Sequence, residues 1–343
     1  MPVARPLVEC IVNVSEGRDA AVLATIAAAI RAVPGCYLLH QDTGAGAHRT
    51  VFTFAGAPDP VFAAARRVYE VALERIDMRR HHGAHPRIGA VDVCPFVAIS
   101  GVTQQELVAR TQVLAEDLGR LLGIPVFLYE DSAKTPDRRN LADLRRGEYE
   151  GLATRATDPA WQPDFGPAVH PTFGATVLGA RPYLIAWNIN LGAATPLSLA
   201  KALAAQLRTS GRAPSPAGAA RKPGLFKGLK AIGWRIPEFD RCQISCNVVD
   251  AETVDLARVY LTAVHLAATH GATVTGSELI GLVPEKYLRK AGRAIEFSGD
   301  AAAEVRAAVD LLGLNDLAPF DPTDRVLEWR LKAVAAAAAG PTA

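Results

Sequence analysis

The stretch DMRRHHGAHPRIGAVDVCPF, residues 77 to 96, joins a polar loop to the strand that we expect to complete the first sheet. Three of the eight histidines in the chain fall within five positions of each other here, at His81, His82 and His85. Residues 88 to 96 are rich in β-branched and other apolar residues, which predicts a buried strand. A rigid strand commonly carries reactive groups on the loop beside it. We therefore expect a functional site at the start of this strand.

Around this strand, the first half of the chain predicts the element order β-α-β-β-α-β. The four strands are predicted at 8–14, 36–42, 49–55 and 88–96. Asp19 and Pro58 are residue types that begin helices, and an apolar stripe of helical spacing follows each of them. This order is the split βαβ pattern of ferredoxin-like folds. A third helix after Thr103 and a further strand at 124–129 extend the pattern.

The second half of the chain repeats this element order after a polar region, 130–180, that is rich in Pro and Gly. Strands are predicted at 183–190, 229–236, 241–249 and 273–282, and helices at about 197–208 and 252–271. We therefore predict an α+β fold with two ferredoxin-like subdomains, at 1–180 and 181–330, and an alanine-rich tail at 331–343. The basic segment 209–230 is interpreted as a solvated loop, with binding of a polyanionic ligand tail as the alternative.

The composition is that of a globular protein without an excess of one charge. Half of the 343 residues are hydrophobic, and 37 Lys and Arg residues oppose 35 Asp and Glu residues. This balance argues against a nucleic-acid partner. The five cysteines have no CxxC spacing, which argues against a disulfide framework or a zinc ribbon. No secretory leader and no membrane-spanning apolar run is recognised, so we expect a cytoplasmic protein without a membrane partner.

Proton transfer is the chemistry that the histidine loop suits best, because imidazole titrates near neutral pH. His85 is the first candidate, since Pro86 stiffens the turn beside it. Asp42, at the end of the second predicted strand, is a carboxylate of the kind that orients and charges a catalytic imidazole. A turn cap is the alternative role for Asp42. Asp92 either lines an open sheet face or anchors a buried hydrogen-bond network.

A metal site is the competing hypothesis for the same loop. The potential ligands are His81, His82 and His85, together with Asp42, Asp92 or His40. Side chains of adjacent residues in an extended segment diverge, and there is no HExxH helix motif. We therefore predict that the site holds no metal.

Two arginines are candidates for binding carboxylate groups. Arg49 and Arg87 flank the polar region, and guanidinium binds carboxylates through paired hydrogen bonds. The glycines at 44 and 46 lack the third glycine of a dinucleotide site and lead into a strand instead of a helix. Neither a Walker motif nor a nucleophile elbow is present.

The chain resembles the glutamate formimidoyltransferase family over residues 7 to about 330. Six ordered blocks carry the resemblance: VECIVNVSEGRD (8–19), DTGAGAHRTVFTFAG (42–56), IDMRRHHGAHPRIGAVDVCPF (76–96), RRGEYEGL (145–152), DFGPAVHPTFGATVLGARPYLIAWNINL (164–191) and GSELIGLVP (276–284). The resemblance implies two related α+β halves with a folate-binding tunnel between them, in a homodimer. It also implies the stand-alone form, because an added cyclodeaminase module would need a much longer chain.

The resemblance further implies a reaction and the residues that carry it. The formimidoyl group passes from N-formimidoyl-L-glutamate to N5 of tetrahydrofolate, a co-substrate, and L-glutamate is released during histidine degradation. The catalytic histidine of the family's His-Pro-Arg motif matches His85, and the aspartate that supports it matches Asp42. The expected substrate-binding residues are Arg87, Arg49, Asn13, His82, Asn188 and Asn190. The expected folate-binding loop is Gly166, Pro167, Ala168, Val169, His170, Pro171, Thr172, Phe173 and Gly174.

Four departures from the family pattern leave the donor open. Ala84 stands where the family often has an acidic residue, His82 where it has lysine, His48 where it has asparagine and Glu278 where it has glutamine. One alternative is formyl transfer between N-formylglutamate and tetrahydrofolate, in 5-formyltetrahydrofolate metabolism. Another is a folate-binding protein without turnover.

Overall fold

The computed structural model describes residues 5–83, 85–212, 222–236 and 239–339. Ala84 and part of the basic segment 209–230 therefore lie outside the described residues. The chain divides between Arg181 and Pro182 into two compact units, and the described end of the last helix, from Val334, groups with the first unit. Each unit has its own hydrophobic core and is described by itself below.

The first unit is built on a six-stranded sheet in the order β2-β3-β1-β4-β6-β5. The strands are β1 (Leu7–Val14), β2 (Cys36–Gly44), β3 (Arg49–Gly56), β4 (Val91–Ser100), β5 (Val126–Leu128) and β6 (Thr176–Ala180). The helices are α1 (Ala20–Arg31), α2 (Pro58–Arg75), α3 (Gln104–Leu121), α4 (Leu141–Leu144) and α5 (Glu148–Arg155). The first four strands pair antiparallel, which is the ferredoxin-like arrangement, and β6 adds to β4 in parallel. The predicted element order of this half is confirmed.

Local chemistry explains where the helices of the first unit begin. The carboxylate of Asp19 accepts hydrogen bonds from the first amides of α1, and Thr103 and Glu106 form a capping box on α3. Pro58 lies in the first turn of α2, where its missing N–H costs nothing. The apolar sides of α1, α2 and α3 then pack on one face of the sheet.

Two parts of the sequence-based prediction for the first half are wrong. Strand β4 begins at Val91 and not at Ile88, because the segment 88–90 bonds to residues 173–175 and to Ser15, which lies directly after β1. The bonds are Ala90 N to Phe173 O, 2.8 Å, and Ala175 N to Ile88 O, 2.9 Å. The region 130–180 is also more regular than expected, since it contains α4, α5 and β6. All five residues of β6 are buried, so this strand lacks the alternation that marks a half-buried strand.

The second unit is a four-stranded antiparallel sheet in the order β10-β7-β9-β8. Its strands are β7 (Ile185–Leu191), β8 (Leu229–Ile236), β9 (Arg241–Val248) and β10 (Val274–Ile280). Its helices are α6 (Leu197–Leu207), α7 (Leu256–Thr269), α8 (Glu285–Gly292), α9 (Ala301–Leu311), α10 (Pro322–Arg325) and α11 (Leu327–Ala339). The strand order matches that of the first four strands in the first unit, so the predicted pair of ferredoxin-like subdomains is confirmed. The tunnel between them stays a prediction.

Four helices, α8 to α11, follow β10 and were not predicted from the sequence. Helix α9 packs against α8, and Arg289 of α8 and Arg293, the residue directly after α8, both pair with the buried carboxylate of Glu304 on α9. The described part of the predicted alanine-rich tail belongs to α11. Within the residues that the structure describes, none of these helices, nor any other, is long and apolar enough to cross a membrane.

Gly174 is predicted to be essential to the join between the segment 88–90 and β6. Its φ is +79°, and a Cβ atom there would lie 2.3 Å from the carbonyl oxygen of Ile88. Gly123 has a similar φ of +65°, but a Cβ atom there would meet no other atom within 4 Å, so it is the matched control. Gly123→Ala should cost about 1–2 kcal/mol from backbone strain, and Gly174→Ala should cost about 1–3 kcal/mol more from overpacking. Equal losses of unfolding free energy in urea titrations would contradict this prediction.

Candidate active site

Arg49 and His85 form the contact at the centre of the candidate site. Arg49 begins β3, and its Nη1 lies 2.6 Å from Nε2 of His85. The Nδ1 atom of His85 lies 2.8 Å from the carbonyl oxygen of Pro86. Because a guanidinium only donates and a carbonyl only accepts, Nε2 must accept and Nδ1 must carry the proton. This pair of hydrogen bonds assigns the neutral form to His85.

The surroundings of His85 favour this neutral form. Burial lowers the pKa of His85, the charges of Arg49 and Arg145 lower it further, and the pKa falls to about 4. The charge of Asp92 and the hydrogen bond to Pro86 act in the opposite direction but are weaker. His85 is therefore uncharged at neutral pH and has the lone pair of a base on Nε2.

A buried ion pair between Asp92 and Arg145 connects strand β4 and the loop before it to the segment after α4. Asp92 is fully buried, and its carboxylate accepts hydrogen bonds from the backbone N–H of Ile88, at 3.0 Å, and from Arg145. Arg145 follows α4 and reaches Asp92 from the chain segment before Gly147. Of the two interpretations of Asp92, the buried hydrogen-bond network is the one that the structure contains.

Arg87 is committed to partners inside the first unit. Its guanidinium donates to Glu148 at 2.8 Å and to Glu150 at 2.7 Å, and its Nε donates to Nδ1 of His81 at 3.1 Å. Only 7% of its side chain is exposed. The predicted role of Arg87 as an anchor for substrate carboxylates is therefore not supported by its placement, because its donors already bind two carboxylates.

His82 lines a cavity beside this ion pair, separate from the contact between Arg49 and His85. The cavity has a volume of about 420 Å³ and is lined by His82, Gly83, Arg87, Gly147, Glu148 and Glu150. Glu148 has a φ of +54°, a left-handed conformation that is costly for a residue with a side chain. His82 is exposed, so its predicted contact with substrate stays a prediction.

The ring of His81, in the histidine loop, stacks on the ring of His48. Their ring centroids lie 4.2 Å apart at an interplanar angle of 11°. Nε2 of His81 lies 2.7 Å from the carbonyl oxygen of His48, and Nε2 of His48 lies 3.1 Å from Glu16. These contacts explain why three neighbouring histidines do not converge on one point. His81 is a buried structural residue whose two ring nitrogens bond to Arg87 and to the carbonyl of His48.

Asp42 does not contact His85. Asp42 is exposed on β2, and among the residues that the structure describes no hydrogen bond or ion pair joins its carboxylate to the imidazole. Its charge instead acts on Arg49. Burial and Arg145 lower the pKa of Arg49, and the charges of Asp92 and Asp42 partly oppose them. The predicted support of His85 by Asp42 is therefore indirect in this structure, through Arg49.

The three predicted asparagines lie in different surroundings. Asn13 on β1 donates to the carbonyl of Ile11 in its own strand, at 3.0 Å. Asn188 on β7 of the second unit lies 3.5 Å from the carboxylate of Glu278 on β10. Asn190, also on β7, donates to Asp316 at 2.9 Å and accepts from Gln243 at 2.6 Å. Their contact with substrate stays a prediction.

The predicted folate-binding loop, 166–174, has one exposed end and one fixed end. Its first residues, Gly166 to Val169, are exposed. At the other end, Thr172 O accepts from Met78 N at 2.8 Å, and Pro171 O accepts from the hydroxyl of Tyr149 at 2.6 Å. Phe173 is fully buried against Tyr69, so its side chain belongs to the core and does not face a ligand. The exposed residues remain the predicted folate contacts.

Sequence reasoning did not single out Glu16 and Arg145, although both lie inside blocks that carried the resemblance. Glu16 accepts backbone N–H groups from Gly17, Arg18 and Asp19, and so shapes the turn between β1 and α1. In the described ranges, no group of three His, Cys, Asp or Glu side chains is arranged to hold a metal ion. The absence of a metal stays a prediction.

Comparisons with known proteins agree across both units. The family model described as "Formiminotransferase domain, N-terminal subdomain" matches residues 7–181, and that of the "Formiminotransferase domain" matches residues 186–332. A glutamate formimidoyltransferase from Streptococcus pyogenes serotype M1 is 42% identical over 82% of this chain and 90% of its own length. One from Thermoplasma acidophilum is 35% identical over 82% of this chain and 89% of its own.

A longer relative also matches most of the chain. The formimidoyltransferase-cyclodeaminase of Sus scrofa is 41% identical over 94% of this chain. The chain spans 59% of the length of that relative.

Replacing Arg87 tests its structural role. Arg87→Met should cost about 1.5–3 kcal/mol of unfolding free energy, because a buried residue loses charged hydrogen bonds while its half-exposed carboxylate partners regain water. The matched control is Arg79→Met, which removes an exposed pair with Asp77 and should cost much less than Arg87→Met, because water screens the exposed pair. Both costs are read from urea titrations, and a cost for Arg87→Met as small as the control would refute the assignment.

The neutral state of His85 predicts a pH dependence of stability. The folded pKa of about 4 lies below the ordinary value of 6.5, so between these values the unfolded chain binds the extra proton. Stability from this group is complete above about pH 6.5 and is lost as the pH falls towards 4. His85→Gln should therefore make the decline of the unfolding free energy between pH 7 and pH 5 less steep than in the wild type. Parallel declines would show that His85 is not held neutral.

Proposed function

The chain belongs to the formiminotransferase domain family, and from that premise we propose that it transfers the formimidoyl group from N-formimidoyl-L-glutamate to N5 of tetrahydrofolate. The products are 5-formimidoyltetrahydrofolate and L-glutamate, as in the last part of histidine degradation. Support comes from the names of the relatives that the chain nearly matches in length, which are glutamate formimidoyltransferases.

The reaction is an exchange of one amine for another on an amidine carbon. N5 of tetrahydrofolate attacks the formimidoyl carbon, and a tetrahedral intermediate forms. The bond from this carbon to the nitrogen of glutamate then breaks. One proton leaves N5, and one proton reaches the departing nitrogen, so a single acid–base group can carry out both transfers. No covalent intermediate on the protein and no metal is needed for this balance.

His85 is the residue that we assign to this proton transfer. The observation that carries the assignment is its neutral imidazole, whose Nε2 is a free base except for the hydrogen bond from Arg49. A neutral imidazole takes the proton of N5 as the carbon–nitrogen bond forms. The resulting imidazolium, which is partly buried and lies near the cation Arg145, readily returns the proton to glutamate's nitrogen.

Arg49 is the residue that we assign to a substrate carboxylate. Among the residues that the structure describes, no carboxylate lies within ion-pair distance of its guanidinium. Formimidoylglutamate carries two carboxylates, and a guanidinium binds one through two parallel hydrogen bonds. The exposed part of the loop 166–174 and the asparagines Asn13, Asn188 and Asn190 remain proposed contacts for the two substrates. Binding both substrates together supplies the proximity that the transfer needs.

The wider setting of the enzyme is also proposed. We expect tetrahydrofolate as the co-substrate, a homodimer, a cytoplasmic location and no nucleic-acid or membrane partner.

An assay with two donors tests the proposed reaction. Purified protein with tetrahydrofolate should convert N-formimidoylglutamate to 5-formimidoyltetrahydrofolate, detected by mass spectrometry, faster than it converts N-formylglutamate. His85→Ala should lower kcat by about 10²–10⁴, the usual loss for a general acid–base group. His265→Ala, which removes an exposed imidazole on α7, is the control and should leave kcat unchanged.

Each other outcome of this assay has a definite meaning. Preference for N-formylglutamate would favour the formyl-transfer alternative. Tight binding of tetrahydrofolate by calorimetry without product from either donor would favour a folate-binding protein. Full activity of His85→Ala would refute the role of His85 whichever donor is used.

A further inference from the structure

The hydrogen bond between Arg49 and His85 occupies the nitrogen that the proposed reaction requires. Nη1 of Arg49 lies 2.6 Å from Nε2 of His85, which is the distance of a strong hydrogen bond. The other ring nitrogen is engaged with the carbonyl of Pro86 at 2.8 Å. With both nitrogens occupied, the imidazole cannot accept a proton from a substrate. In the unliganded protein, Arg49 therefore covers the basic nitrogen of His85, which means that its hydrogen bond blocks that nitrogen from a substrate.

The charges around His85 explain why Arg49 makes this contact. Two cations, Arg49 from β3 and Arg145 from the segment after α4, face the imidazole. The one fully buried carboxylate among these groups, Asp92 on β4, is paired with Arg145. Asp42 on β2 is exposed and influences Arg49 only through space. Arg49 is thus a half-buried cation whose nearest acceptor is a neutral imidazole, although a carboxylate is the stronger acceptor for guanidinium.

We propose that Arg49 covers Nε2 of His85 in the unliganded protein and that a ligand carboxylate uncovers it by drawing the guanidinium into an ion pair. This inference rests on the proposed function for the identity of the ligand, a glutamate-bearing substrate. Binding of the carboxylate then has two effects on the base. It frees the lone pair of Nε2, and it neutralises one of the two cations that face the imidazole.

The second effect makes the base stronger when the substrate is present. An imidazole next to two cations, of which only Arg145 has a carboxylate partner, is a weak base. Pairing Arg49 with a carboxylate removes part of the repulsion that opposes protonation of the imidazole. The affinity of the carboxylate and that of the proton are then coupled, since each favours the other by the same factor. His85 accepts a proton readily only when a carboxylate forms an ion pair with Arg49. The unliganded protein therefore does not accumulate with His85 protonated and inactive.

Histidine NMR of the full chain tests this proposal without any turnover. The protein is labelled with ¹⁵N-histidine, and the resonances of His85 are assigned by their loss in His85→Gln. The probe is L-glutamate at saturating concentration, with sodium chloride at the same ionic strength as the reference. The pKa of His85, about 4 without ligand, should rise by about one unit with glutamate. His265 on α7 should not respond to glutamate.

Two variants separate the role of Arg49 from a general effect of charge. In Arg49→Gln the pKa of His85 should already be raised without ligand, and glutamate should leave it unchanged. In Arg79→Gln, which removes an arginine paired with Asp77 on the same loop, both the starting value and the response should equal those of the wild type. Circular dichroism of each variant checks that it is folded, and a misfolded Arg49→Gln is replaced by Arg49→Lys, whose response to glutamate should be weaker than the wild type's.

The outcomes that would overturn the proposal are distinct from failure of the proposed function. The proposal fails if glutamate binds by calorimetry but leaves the pKa of His85 unchanged, if glutamate does not bind, or if Arg49→Gln responds as the wild type does. Absence of turnover with either donor would sink the proposed function while leaving the NMR response intact. Where turnover is observed, the acid limb of kcat should lie at higher pH than that of kcat/KM, because kcat reports the liganded site.

Discussion

The buried ion pair between Asp92 and Arg145 is the interaction on which the candidate site depends. A fully buried carboxylate is stable as a charge only when other groups compensate it, and here the guanidinium of Arg145 and the backbone N–H of Ile88 do so. The pair links strand β4 and the loop directly before it to the region after α4, 53 residues further along the chain. The backbone N–H of Ile88 bonds to this carboxylate, and residues 88–90 also bond to residues 173–175, so this segment lies outside β4. The residues before Ile88 form the loop that contains His85.

The pair also determines which charges remain for catalysis. Once Asp92 is matched with Arg145, Arg49 has no ion-pair partner among the described residues, and it turns to the imidazole of His85. A positive neighbour and partial burial together keep His85 neutral. The familiar arrangement, in which a carboxylate supports the cationic form of a histidine, would give a stronger base that is already protonated at low pH. The arrangement found here gives a weaker base that stays unprotonated at neutral pH, and we propose that its strength rises when an anionic substrate binds. This suits the proposed donor, which carries two carboxylates.

Sequence reasoning recovered the fold well and the site in part, for physical reasons. Both ferredoxin-like units could be predicted because their strands alternate and their helices have clear starting residues such as Asp19. Strand β6 could not, since it is buried on both faces and short, so it has neither alternation nor the length of a helix. His85 was identified from its place before a strand, and Arg49 from its residue type. The contact between Arg49 and His85 was not predicted. Periodicity indicates which face of a strand a side chain lies on, but it does not indicate which of several charged side chains contacts a given atom. Asp42 and Arg87 illustrate this. Asp42 influences Arg49 only through its charge, without a contact to His85. The guanidinium of Arg87 already binds the carboxylates of Glu148 and Glu150.

The difference between the two units explains why the proposed chemistry lies in the first. Both units share the same order of four antiparallel strands, but the sheet of the first unit continues through β6 and β5. The chain between those two strands contributes Arg145, the pair of glutamates that bind Arg87, and the loop 166–174, whose end bonds to residues 88–90. In the described part of the second unit the sheet ends at its four strands, and Asn190 of β7 bonds to its neighbours Gln243 and Asp316. The candidate site therefore lies in the unit whose sheet has two additional parallel strands. The chain between these two strands brings further charged side chains to the start of β4.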